Sequence, residues 1–346
     1  MAARLRIGIG LSGGVDSAAA ALLLLESGCE VIGFTMHLVG ADVVADRAAT
    51  VAARLGIPHR VLDVRAEFEA LVLQPFVDEY AAGLTPCPCA RCNSAMKFGV
   101  LWERIASAGC DLIATGHYAR LGERDGRLFL RRGADIAKDQ SYFLALVTQS
   151  QLQKAMFPLG GLLKSEARAK VLAHRLVSES ESESQDLCFL ADGHFADFVA
   201  ARRPELRVDG WIVDLEGRRL GRHSGAFQYT IGQRRGLGLG GGPWFVVRTD
   251  LARREVVVGR EADLQSVTVS LSGVNWQSAP PPINAELAVT AQLRYQMQAR
   301  PAILRHLGEG RAQLEFSAPV FAVAPGQLAV AYCGDEVVAG GWIVRP

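Results

Sequence analysis

The stretch GLSGGVDS, residues 10–17, restricts the possible folds of this chain more than any other feature. The run RIGIGL, which leads into it, is short, apolar and rich in isoleucine, and this predicts a buried strand. The run AAAALLLLE that follows is a strong helix former. In a turn from strand to helix, the first helical N–H groups are unpaired and lie at the positive end of the helix dipole. The sequence therefore predicts a site for an anion, above all a phosphate.

The residues of this loop suit a phosphate, although the loop has no lysine. Gly13 and Gly14 would let the backbone approach a ligand closely, and Ser12 and Ser17 add hydroxyl donors. An ordinary P-loop uses its lysine on the β- and γ-phosphates, whereas this loop has Asp16, which suits a metal ion. A glycine turn that caps a helix and binds nothing is the alternative. The stretch resembles the pyrophosphate loop of ATP pyrophosphatases, which cleave ATP between the α- and β-phosphates.

Length and charge set further limits. At 346 residues, the chain is long enough for two or three domains. Its net charge of +1 is unevenly spread, because residues 201–263 carry 12 arginines against 8 acidic residues. Such a stretch suits contacts with phosphates, with Arg234 and Arg235 as candidates, although a solvated basic surface would look the same.

The sequence has no feature of a secreted or membrane protein. Its first residues, MAARLRIGIGL, include basic ones, but the apolar part is short and leads into the glycine loop. A run of about eighteen uncharged apolar residues is absent. We therefore expect a cytoplasmic protein, in which the seven cysteines serve metal binding or thiol chemistry rather than a disulfide framework.

Strand and helix patterns alternate over the first part of the chain, which predicts an α/β fold with a doubly wound parallel sheet. We assign residues 1–200 to this ATP-binding catalytic domain. Short alternating strands and glycine turns then predict a small, mixed, β-rich central domain over residues 201–263. The pattern of residues 264–346 predicts a C-terminal antiparallel β-barrel.

Ligands of a doubly wound sheet bind beyond the carboxyl ends of its strands. Three loops follow predicted strands, at Ser12, at Met36 and at residues 116–118. We therefore expect these three loops to converge on one site.

Three cysteines, Cys87, Cys89 and Cys92, stand close together in TPCPCARCNSAMKFG, just before a predicted helix. A thiol at a helix start has a lowered pKa, because its thiolate lies at the positive end of the dipole. Three interpretations fit: a structural zinc site, a redox or sulfur-handling pair, and an iron–sulfur cluster. The zinc site lacks its usual four ligands, since no second C-x-x-C lies nearby. Cys188, in SQDLCFL, is a further candidate, and the polar run SESESES before it would let it move.

Taken together, the motifs point to one family. GLSGGVDS, TPCPCARCN with KFG, ATGHYAR, KDQSYFL, SQDLCF, TIGQRRGLG and PGQ occur in the order seen in the tRNA-specific 2-thiouridylases, which this chain resembles from residue 8 to its C-terminus. The resemblance implies an enzyme that binds ATP, with Mg²⁺, and a tRNA. Such an enzyme adenylates the C2 oxygen of the wobble uridine, releases AMP and pyrophosphate, and puts sulfur in place of that oxygen.

The resemblance also assigns roles to residues. Cys92 matches the nucleophile of the family, and Cys188 matches the cysteine that carries the persulfide sulfur. The two would form a disulfide in turnover, whether Cys92 releases the sulfur from the persulfide or resolves an adduct between the persulfide and C2. The residues that match the ATP site are Gly10, Leu11, Ser12, Gly13, Gly14, Val15, Asp16, Ser17, Met36 and Gly116. The residues that match tRNA contacts are His117, Lys138, Asp139, Gln140, Arg294, Tyr295 and Gln327.

The partners that the resemblance implies are the tRNAs for Lys, Glu and Gln and a sulfur-donor protein, either a cysteine desulfurase or a sulfur carrier. One position departs from the family. Many members carry an aspartate, proposed as a general base, three residues before the nucleophile, where this chain has Cys89. A thiol of lowered pKa would still accept a proton. Alternatively, Cys89, Cys92 and Cys188 form a three-thiolate set for a four-iron cluster with one open iron.

Two other functions fit parts of the sequence. One is a different ATP pyrophosphatase, such as an amidating synthetase of a small metabolite. The other is a nucleotide-sensing or RNA-binding module without catalysis. The paired cysteines and the arginine-rich central stretch argue against the first, and Asp16, Cys92 and Cys188 argue against the second.

Overall fold

The computed structural model describes residues 4–38, 42–178, 187–190 and 194–345. The strands in these ranges are β1 (Arg6–Gly10), β2 (Glu30–His37), β3 (His59–Asp63), β4 (Leu112–Ala114), β5 (Ala119–Arg124), β6 (Arg127–Arg132), β7 (Ala155–Met156), β8 (Gly210–Val213), β9 (Arg219–His223), β10 (Phe245–Asp250), β11 (Glu255–Gly259), β12 (Gln265–Trp276), β13 (Glu286–Gln292), β14 (Arg300–Gly308), β15 (Arg311–Phe321), β16 (Leu328–Cys333) and β17 (Glu336–Ile343). The α-helices are α1 (Val15–Glu26), α2 (Asp42–Leu55), α3 (Arg65–Phe68), α4 (Gln74–Ala81), α5 (Pro88–Arg91), α6 (Trp102–Ser107), α7 (Ser141–Leu144), α8 (Gln149–Leu152), α9 (Lys164–Ala173) and α10 (Phe195–Arg202).

The first sheet is parallel throughout, in the order β3-β2-β1-β4-β7. Helices α1, α2 and α9 share one core with Ile7 and Ile9. The helical segment that ends in α6 shares a second core with Ile32 and Ile113. Helices therefore cover both faces of the sheet, which confirms the predicted doubly wound fold. The described residues include no helix long and apolar enough to cross a membrane.

Helix α1 is buried along most of its length, which explains its composition. The alanines at residues 18–21 are fully buried, and their small side chains let the helix pack closely against the sheet. A helix that is apolar all round is typical of a protein interior. Gly14 is its N-cap, has an extended backbone and offers no side chain to the first N–H groups. This is the turn that the sequence predicts for an anion site.

Two helical segments contain π-helical turns. In the first, α3 and α4 flank a π-helix at Glu69–Leu73. In the second, α5 and α6 flank a longer π-helix at Cys92–Leu101. The i→i+5 hydrogen bonds of a π-helix bring side chains four and five residues apart onto nearly the same face. The second π-helix begins at one of the clustered cysteines, and such turns are frequent at functional sites.

The second sheet is small and mixed, in the order β10-β11-β8-β9, with a parallel pair of β11 and β8 between two antiparallel pairs. Its surface combines arginines with tryptophans. The guanidinium of Arg222 lies 4.4 Å from the ring centroid of Trp211, and that of Arg260 lies 3.7 Å from the ring of Trp244. This part of the chain matches the β-rich central domain that the sequence predicts.

The third sheet contains the C-terminal barrel. Strands β12–β17 form a closed antiparallel barrel, because β12 pairs with both β15 and β17. The β5–β6 hairpin, from the first part of the chain, extends the same sheet beside β17. Asp335 accepts hydrogen bonds from Arg120 and Arg131, at 2.8 Å each, across this junction. The barrel is therefore joined to the first part of the chain through shared strands and ion pairs.

Candidate active site

The nucleotide loop, residues 10–17, is shaped by its glycines. Gly13 has a φ of 77°, which residues other than glycine rarely adopt. A Cβ at Gly13 would also lie 2.6 Å from the backbone carbonyl carbon of Arg47. Gly14, in contrast, is partly exposed, and a Cβ there would meet only the hydroxyl of Ser12, at 3.8 Å. The loop thus packs against α2 on one side and keeps its N–H groups accessible on the other.

The two serines of the loop have different environments. Ser17 is buried, donates to the carbonyl of Gly14 at 3.1 Å, and accepts from the N–H of Ser12 at 3.2 Å. Ser12 is exposed, and its hydroxyl lies 3.2 Å from that of Ser17. Ser17 therefore stabilises the loop conformation, whereas Ser12 is placed to donate to a ligand.

The fold brings a lysine to the loop, which has none of its own. The ammonium of Lys164 donates to Oδ1 of Asp16 at 2.6 Å, although the two residues are 148 positions apart. The hydroxyl of Tyr118 donates to the same oxygen at 2.9 Å. The side chain of Lys164 is only 13% exposed, and its backbone N–H donates to Asp135 at 2.9 Å. A cation is thus held at the edge of the predicted phosphate site.

The loops after β1 and β4 meet at the carboxyl edge of the sheet, as predicted. Gly116 lies so close to the nucleotide loop that a Cβ there would be 2.7 Å from the backbone carbonyl carbon of Asp16. Met36, in contrast, lies within β2 rather than in a loop, and residues 39–41 of the connection that follows lie outside the described part. Its neighbour Thr35 donates to the carbonyl of Leu11 at 2.6 Å, so the end of β2 also contacts the loop.

The segment that carries the clustered cysteines is fastened to the C-terminal barrel. The amide of Gln327 donates to the carbonyls of Thr85 and Pro86, at 3.1 Å each. The N–H of Thr85 donates to the carbonyl of Pro325 at 2.8 Å. Arg345 donates to the carbonyl at the end of α4, at 2.6 Å. The barrel thus holds the backbone that leads to the cysteines, and Gln327, matched to a tRNA contact, serves this purpose.

All seven cysteines lie in the described part of the chain and are free thiols. Burial raises the pKa of Cys92 to about 12 and that of Cys87 to about 12. Burial also raises the pKa of Cys89. Cys188 is exposed as a residue, but the protein atoms that surround its thiol raise the pKa of that thiol as well. The lowered pKa predicted for the helix start is therefore wrong. Cys89 and Cys92 do lie near the start of the helical segment that begins at Pro88, but desolvation outweighs the dipole.

One cation lies near Cys89, Cys92 and Cys188 alike. The ammonium of Lys97 lowers the pKa of each of these thiols, although burial has the larger and opposite effect. The thiols also interact with one another electrostatically, which places Cys188 beside Cys89 and Cys92 despite their distance in sequence. The structure therefore brings the three predicted sulfur residues together.

Lys97 is held by a buried histidine. Its ammonium donates to Nε2 of His117 at 3.3 Å, and Nδ1 of His117 lies 2.8 Å from the hydroxyl of Thr115. Burial, assisted by the charge of Lys97, holds the pKa of His117 well below its ordinary value. The ring is therefore neutral. Because an ammonium only donates, Nε2 accepts and Nδ1 carries the proton toward Thr115.

Two further residues of the predicted tRNA set have side chains that bond within the protein. Asp139 is 6% exposed, and its carboxylate accepts hydrogen bonds from Arg132 at 3.0 Å and from the hydroxyl of Ser141 at 2.8 Å. The side-chain oxygen of Gln140 accepts from the N–H of Tyr118 at 3.0 Å. These two side chains therefore stabilise the turn at residues 138–140 through hydrogen bonds inside the protein.

Lys138, Arg294 and Tyr295 lie on the cysteine side of the molecule. Tyr295 packs on Phe143, with ring centroids 4.3 Å apart. Burial raises the pKa of Tyr295, and the nearby thiol of Cys89 adds to that shift. Arg294 is exposed and Lys138 is half-buried. A barrel residue, Tyr295, thus borders the thiols.

The donor sets differ in how well they suit a metal. Among the described residues, no group of three or more His, Cys, Asp or Glu is placed to hold a metal ion. Cys89, Cys92 and Cys188 as arranged do not fit the four-iron cluster, which gains no support here. Mg²⁺ needs fewer protein ligands, since one or two carboxylates bind it together with substrate phosphates and water. Asp16 is a carboxylate in the nucleotide loop and fits that role.

Sequence reasoning missed three side chains of the site. Tyr118 stands in the motif ATGHYAR and Lys97 in MKFG, five residues after Cys92. On an α-helix that spacing separates two side chains, whereas on a π-helix it brings them together. Lys164 has no signal in the sequence that would connect it with Asp16.

The fold and the site define the class of protein, a nucleotide-binding α/β protein. It has a phosphate loop without a lysine, thiols beside that loop, and two β-rich domains that follow in the chain. Residues 5–192 match the family model of the tRNA methyl transferase HUP domain. Residues 196–260 match that of the tRNA methyl transferase PRC-barrel domain, and residues 266–343 match that of the aminomethyltransferase beta-barrel domain.

Full-length relatives are more specific. The tRNA-specific 2-thiouridylase MnmA of Chloroflexus aurantiacus is 44% identical over 353 residues, which covers 98% of this chain and 98% of that protein. The protein of the same name in Acidithiobacillus ferrooxidans is 44% identical over 342 residues, with 97% of each chain covered. This chain belongs to the tRNA-specific 2-thiouridylase family. A solved structure, the predicted subunit of tRNA methyltransferase from Methanocaldococcus jannaschii, is only distantly similar, with a TM-score of 0.33 at 16% identity over 58% of this chain and 88% of that one.

Proposed function

We propose that this chain is a tRNA-uridine 2-sulfurtransferase that thiolates the wobble uridine at C2. It adenylates the C2 oxygen with ATP and releases pyrophosphate. It then exchanges the activated oxygen for sulfur from a persulfide on Cys188, with Cys92 as the second thiol, and AMP leaves. The name shared by the full-length relatives supports this proposal.

The observation that carries the proposal is a short chain of contacts from the nucleotide loop to the thiols. Gly116 packs on the backbone of Asp16. The next residue, His117, accepts a hydrogen bond from Lys97, and Lys97 interacts with the thiols. One uridine bound at Gly116 and His117 would therefore lie between the phosphates that activate it and the sulfur that replaces its oxygen.

In the adenylation step, the N–H groups at the start of α1 and the hydroxyl of Ser12 bind phosphate oxygens. Lys164 supplies the charge that a P-loop lysine would supply, and the pairing with Asp16 keeps it in place before ATP arrives. Asp16 would hold Mg²⁺, which neutralises phosphate charge when it is bound. A carbonyl oxygen is a poor leaving group. Adenylation bonds this oxygen to the α-phosphate of ATP, so that it can depart as part of AMP, and this makes C2 reactive.

Sulfur transfer can follow either of two orders. In one, the Cys92 thiolate attacks Sγ of Cys188, the sulfur–sulfur bond breaks, and the hydrosulfide released attacks C2 as AMP leaves. In the other, the terminal sulfur of the persulfide attacks C2 and expels AMP, and Cys92 then attacks Sγ of Cys188 and frees the thiocarbonyl. Both orders end in a disulfide between Cys92 and Cys188, which an external thiol reductant must reduce.

The partners follow from the surface around the thiols. Lys138, Arg294 and Tyr295 offer two cations and an aromatic ring on this side. Arg234 and Arg235 are exposed in the arginine-rich central part. Cations and rings bind RNA phosphates and unstacked bases. The tRNAs for Lys, Glu and Gln are the expected substrates, and a cysteine desulfurase or a sulfur carrier is the expected donor to Cys188.

The role of Cys89 distinguishes the persulfide route from a route through an iron–sulfur cluster. We favour the persulfide route, in which Cys89 binds no cluster and occupies the position of the family's aspartate, so that Cys89→Asp keeps its activity in air. Because burial raises the pKa of Cys89, its thiol is a weaker base than that aspartate. An anaerobic preparation that is fully active and free of iron agrees with this route. Iron with a broad absorption near about 400 nm, absent from Cys89→Ser, would contradict it.

The function is tested with the purified full chain, α-labelled ATP, unmodified tRNA and a persulfide donor. We expect AMP and pyrophosphate as products and 2-thiouridine at the wobble position, measured by mass spectrometry of digested tRNA. Formation of ADP and phosphate would disprove the pyrophosphatase chemistry. Wobble uridine that keeps its sulfur in a strain without this gene would disprove the assignment to this reaction.

A further inference from the structure

Lys97 lies where sulfur transfer places negative charge. We propose that the ammonium of Lys97 stabilises the sulfur anions of the reaction, on Cys188 and on Cys92, and that the buried pair of His117 and Thr115 aims it at them. This inference rests on the proposed function, because it assigns a charge to the sulfur step of that reaction.

The helix geometry puts Lys97 on the side of the thiols. Lys97 follows Cys92 by five residues in the π-helix Cys92–Leu101. On an α-helix, five residues turn a side chain about 140° away, since each residue turns about 100°. The i→i+5 winding of a π-helix instead returns the side chain to nearly the same face. The π-helical winding after Cys92 therefore places the charge of Lys97 on the side of the thiols.

The ammonium is oriented by groups that take no part in the sulfur chemistry. His117 is 7% exposed, accepts from Lys97 at 3.3 Å, and is itself held by Thr115 at 2.8 Å. An ammonium has three donors, so two remain for other acceptors after the bond to His117. A neutral histidine with its proton on Nδ1 can only accept at Nε2, which fixes the direction of the Lys97 ammonium.

The groups that face the thiols explain why a cation is needed there. Cys89, Cys92 and Cys188 interact with one another and with Lys97, and Tyr295 lies beside Cys89. Each order of transfer passes through a thiolate and through either a persulfide anion or hydrosulfide. An anion in a poorly solvated site is costly unless a countercharge is near. The need for Lys97 is therefore the same in both orders.

The test compares variants that remove or keep the charge. Lys97→Met removes it at similar length, Lys97→Gln is a second neutral variant, and Lys97→Arg retains it. Lys170→Met is the matched control, because Lys170 pairs with Glu26 at the surface. Pyrophosphate release and 2-thiouridine formation are followed separately in single turnovers with tRNA. A second readout is the rate at which iodoacetamide alkylates Cys92 and Cys188 near neutral pH, mapped by mass spectrometry.

We expect the neutral variants to release pyrophosphate within about twofold of the wild-type rate while sulfur transfer falls about 100-fold, as for removal of one preorganised charge. Alkylation of Cys92 and Cys188 should slow about tenfold, which corresponds to one pKa unit. Lys97→Arg should recover most of both rates.

Three results would overturn the inference. They are an equal loss of pyrophosphate release and sulfur transfer, an Arg variant no better than the neutral ones, and alkylation rates that do not change. If the wild-type protein formed no 2-thiouridine at all, the proposed function would fail instead. The alkylation rates would still decide whether Lys97 activates the thiols.

Discussion

The nucleotide loop and the cysteine site are built in opposite ways. Eight consecutive residues, 10–17, hold the glycines, hydroxyls and carboxylate of the loop, and a single helix start supplies its N–H groups. The cysteine site draws Cys89 and Cys92 from one segment and Cys188 from another, and the barrel holds the first segment through Gln327. One site is local in sequence and the other is assembled by the fold.

The difference reflects what each site has to do. A phosphate needs a rigid ring of donors, and a short turn can provide it. Sulfur transfer needs two thiols that meet, react and separate, so they must belong to segments that can move relative to each other. The sequence predicts such movement for the run at residues 178–184, but residues 179–186 lie outside the described part, so this stays a prediction.

The two sites also share one feature. Each has a lysine that comes from outside its motif, Lys164 beside Asp16 and Lys97 beside the thiols. In both, a buried ring accompanies the lysine: Tyr118 bonds to Asp16, and His117 bonds to Lys97. If the sites are separable, changes in one should leave the chemistry of the other intact.

The largest effect is expected at the sulfur site. Cys188→Ser and Cys92→Ser should each eliminate 2-thiouridine, because neither variant can complete the exchange through a persulfide and a disulfide. ATP binding, tRNA binding and the release of pyrophosphate in the adenylation step should remain, as measured by equilibrium binding and product analysis. Cys333→Ser is the control, since Cys333 is exposed on the barrel strand β16. Loss of pyrophosphate release in either active-site variant would show that the two sites are not separable.

The matching change at the nucleotide site is Asp16→Ala. It should abolish adenylation, and with it thiolation, while the thiols keep their alkylation rates. The side chain of Asp16 is 37% exposed, so the free energy of unfolding should fall by only about 1 kcal/mol. Thermal or urea unfolding of the variant checks that the fold is intact. Persistent AMP formation would remove Asp16 from the adenylation step.

Lys164→Met probes the same site through the lysine that the loop itself lacks. We expect AMP formation to slow about 100-fold and inhibition by added pyrophosphate to weaken, since the variant has one charge fewer at the phosphates. Lys164→Arg should retain part of the rate. A Lys164→Met protein with the wild-type rate and the wild-type inhibition by pyrophosphate would limit this lysine to a structural role.

A smaller effect is expected for RNA binding. Replacing Lys138, Arg234 and Arg235 by glutamine should weaken tRNA binding and leave ATP binding unchanged. The plot of log affinity against log salt should become shallower by about 0.7 to 0.9 for each phosphate that the variant no longer neutralises. A slope that does not change would place these residues outside the interface.

The smallest effect is expected for Gln327→Ala. The variant cannot form the two hydrogen bonds to Thr85 and Pro86, so the free energy of unfolding should fall by about 1 to 2 kcal/mol. Sulfur transfer should slow a few-fold because the cysteine segment is held less firmly, with tRNA affinity unchanged. A clear decrease in tRNA affinity without a change in stability would instead support a direct contact of Gln327 with RNA.

Much of the fold follows from local patterns. The alternation of strands and helices predicts the parallel sheet, and short strands with glycine turns predict the two β-rich parts, because apolar periodicity reflects which face of an element is buried. The β5–β6 hairpin is different. Nothing in residues 119–132 indicates that these strands extend the barrel, because their partner β17 lies about two hundred positions further along the chain.

The site divides in the same way. The phosphate loop can be predicted from the sequence alone, since its donors are the backbone N–H groups of one turn and only local geometry is needed to expose them. The cysteines to which we assign the sulfur chemistry can also be identified from the sequence, through short motifs that occur in a fixed order. The charges around them, Lys164 at Asp16 and Lys97 at the thiols, emerge only in the folded chain, together with the burial that raises the thiol pKa values. Desolvation and Coulomb interactions depend on distance in space, which the order of residues along a chain does not contain.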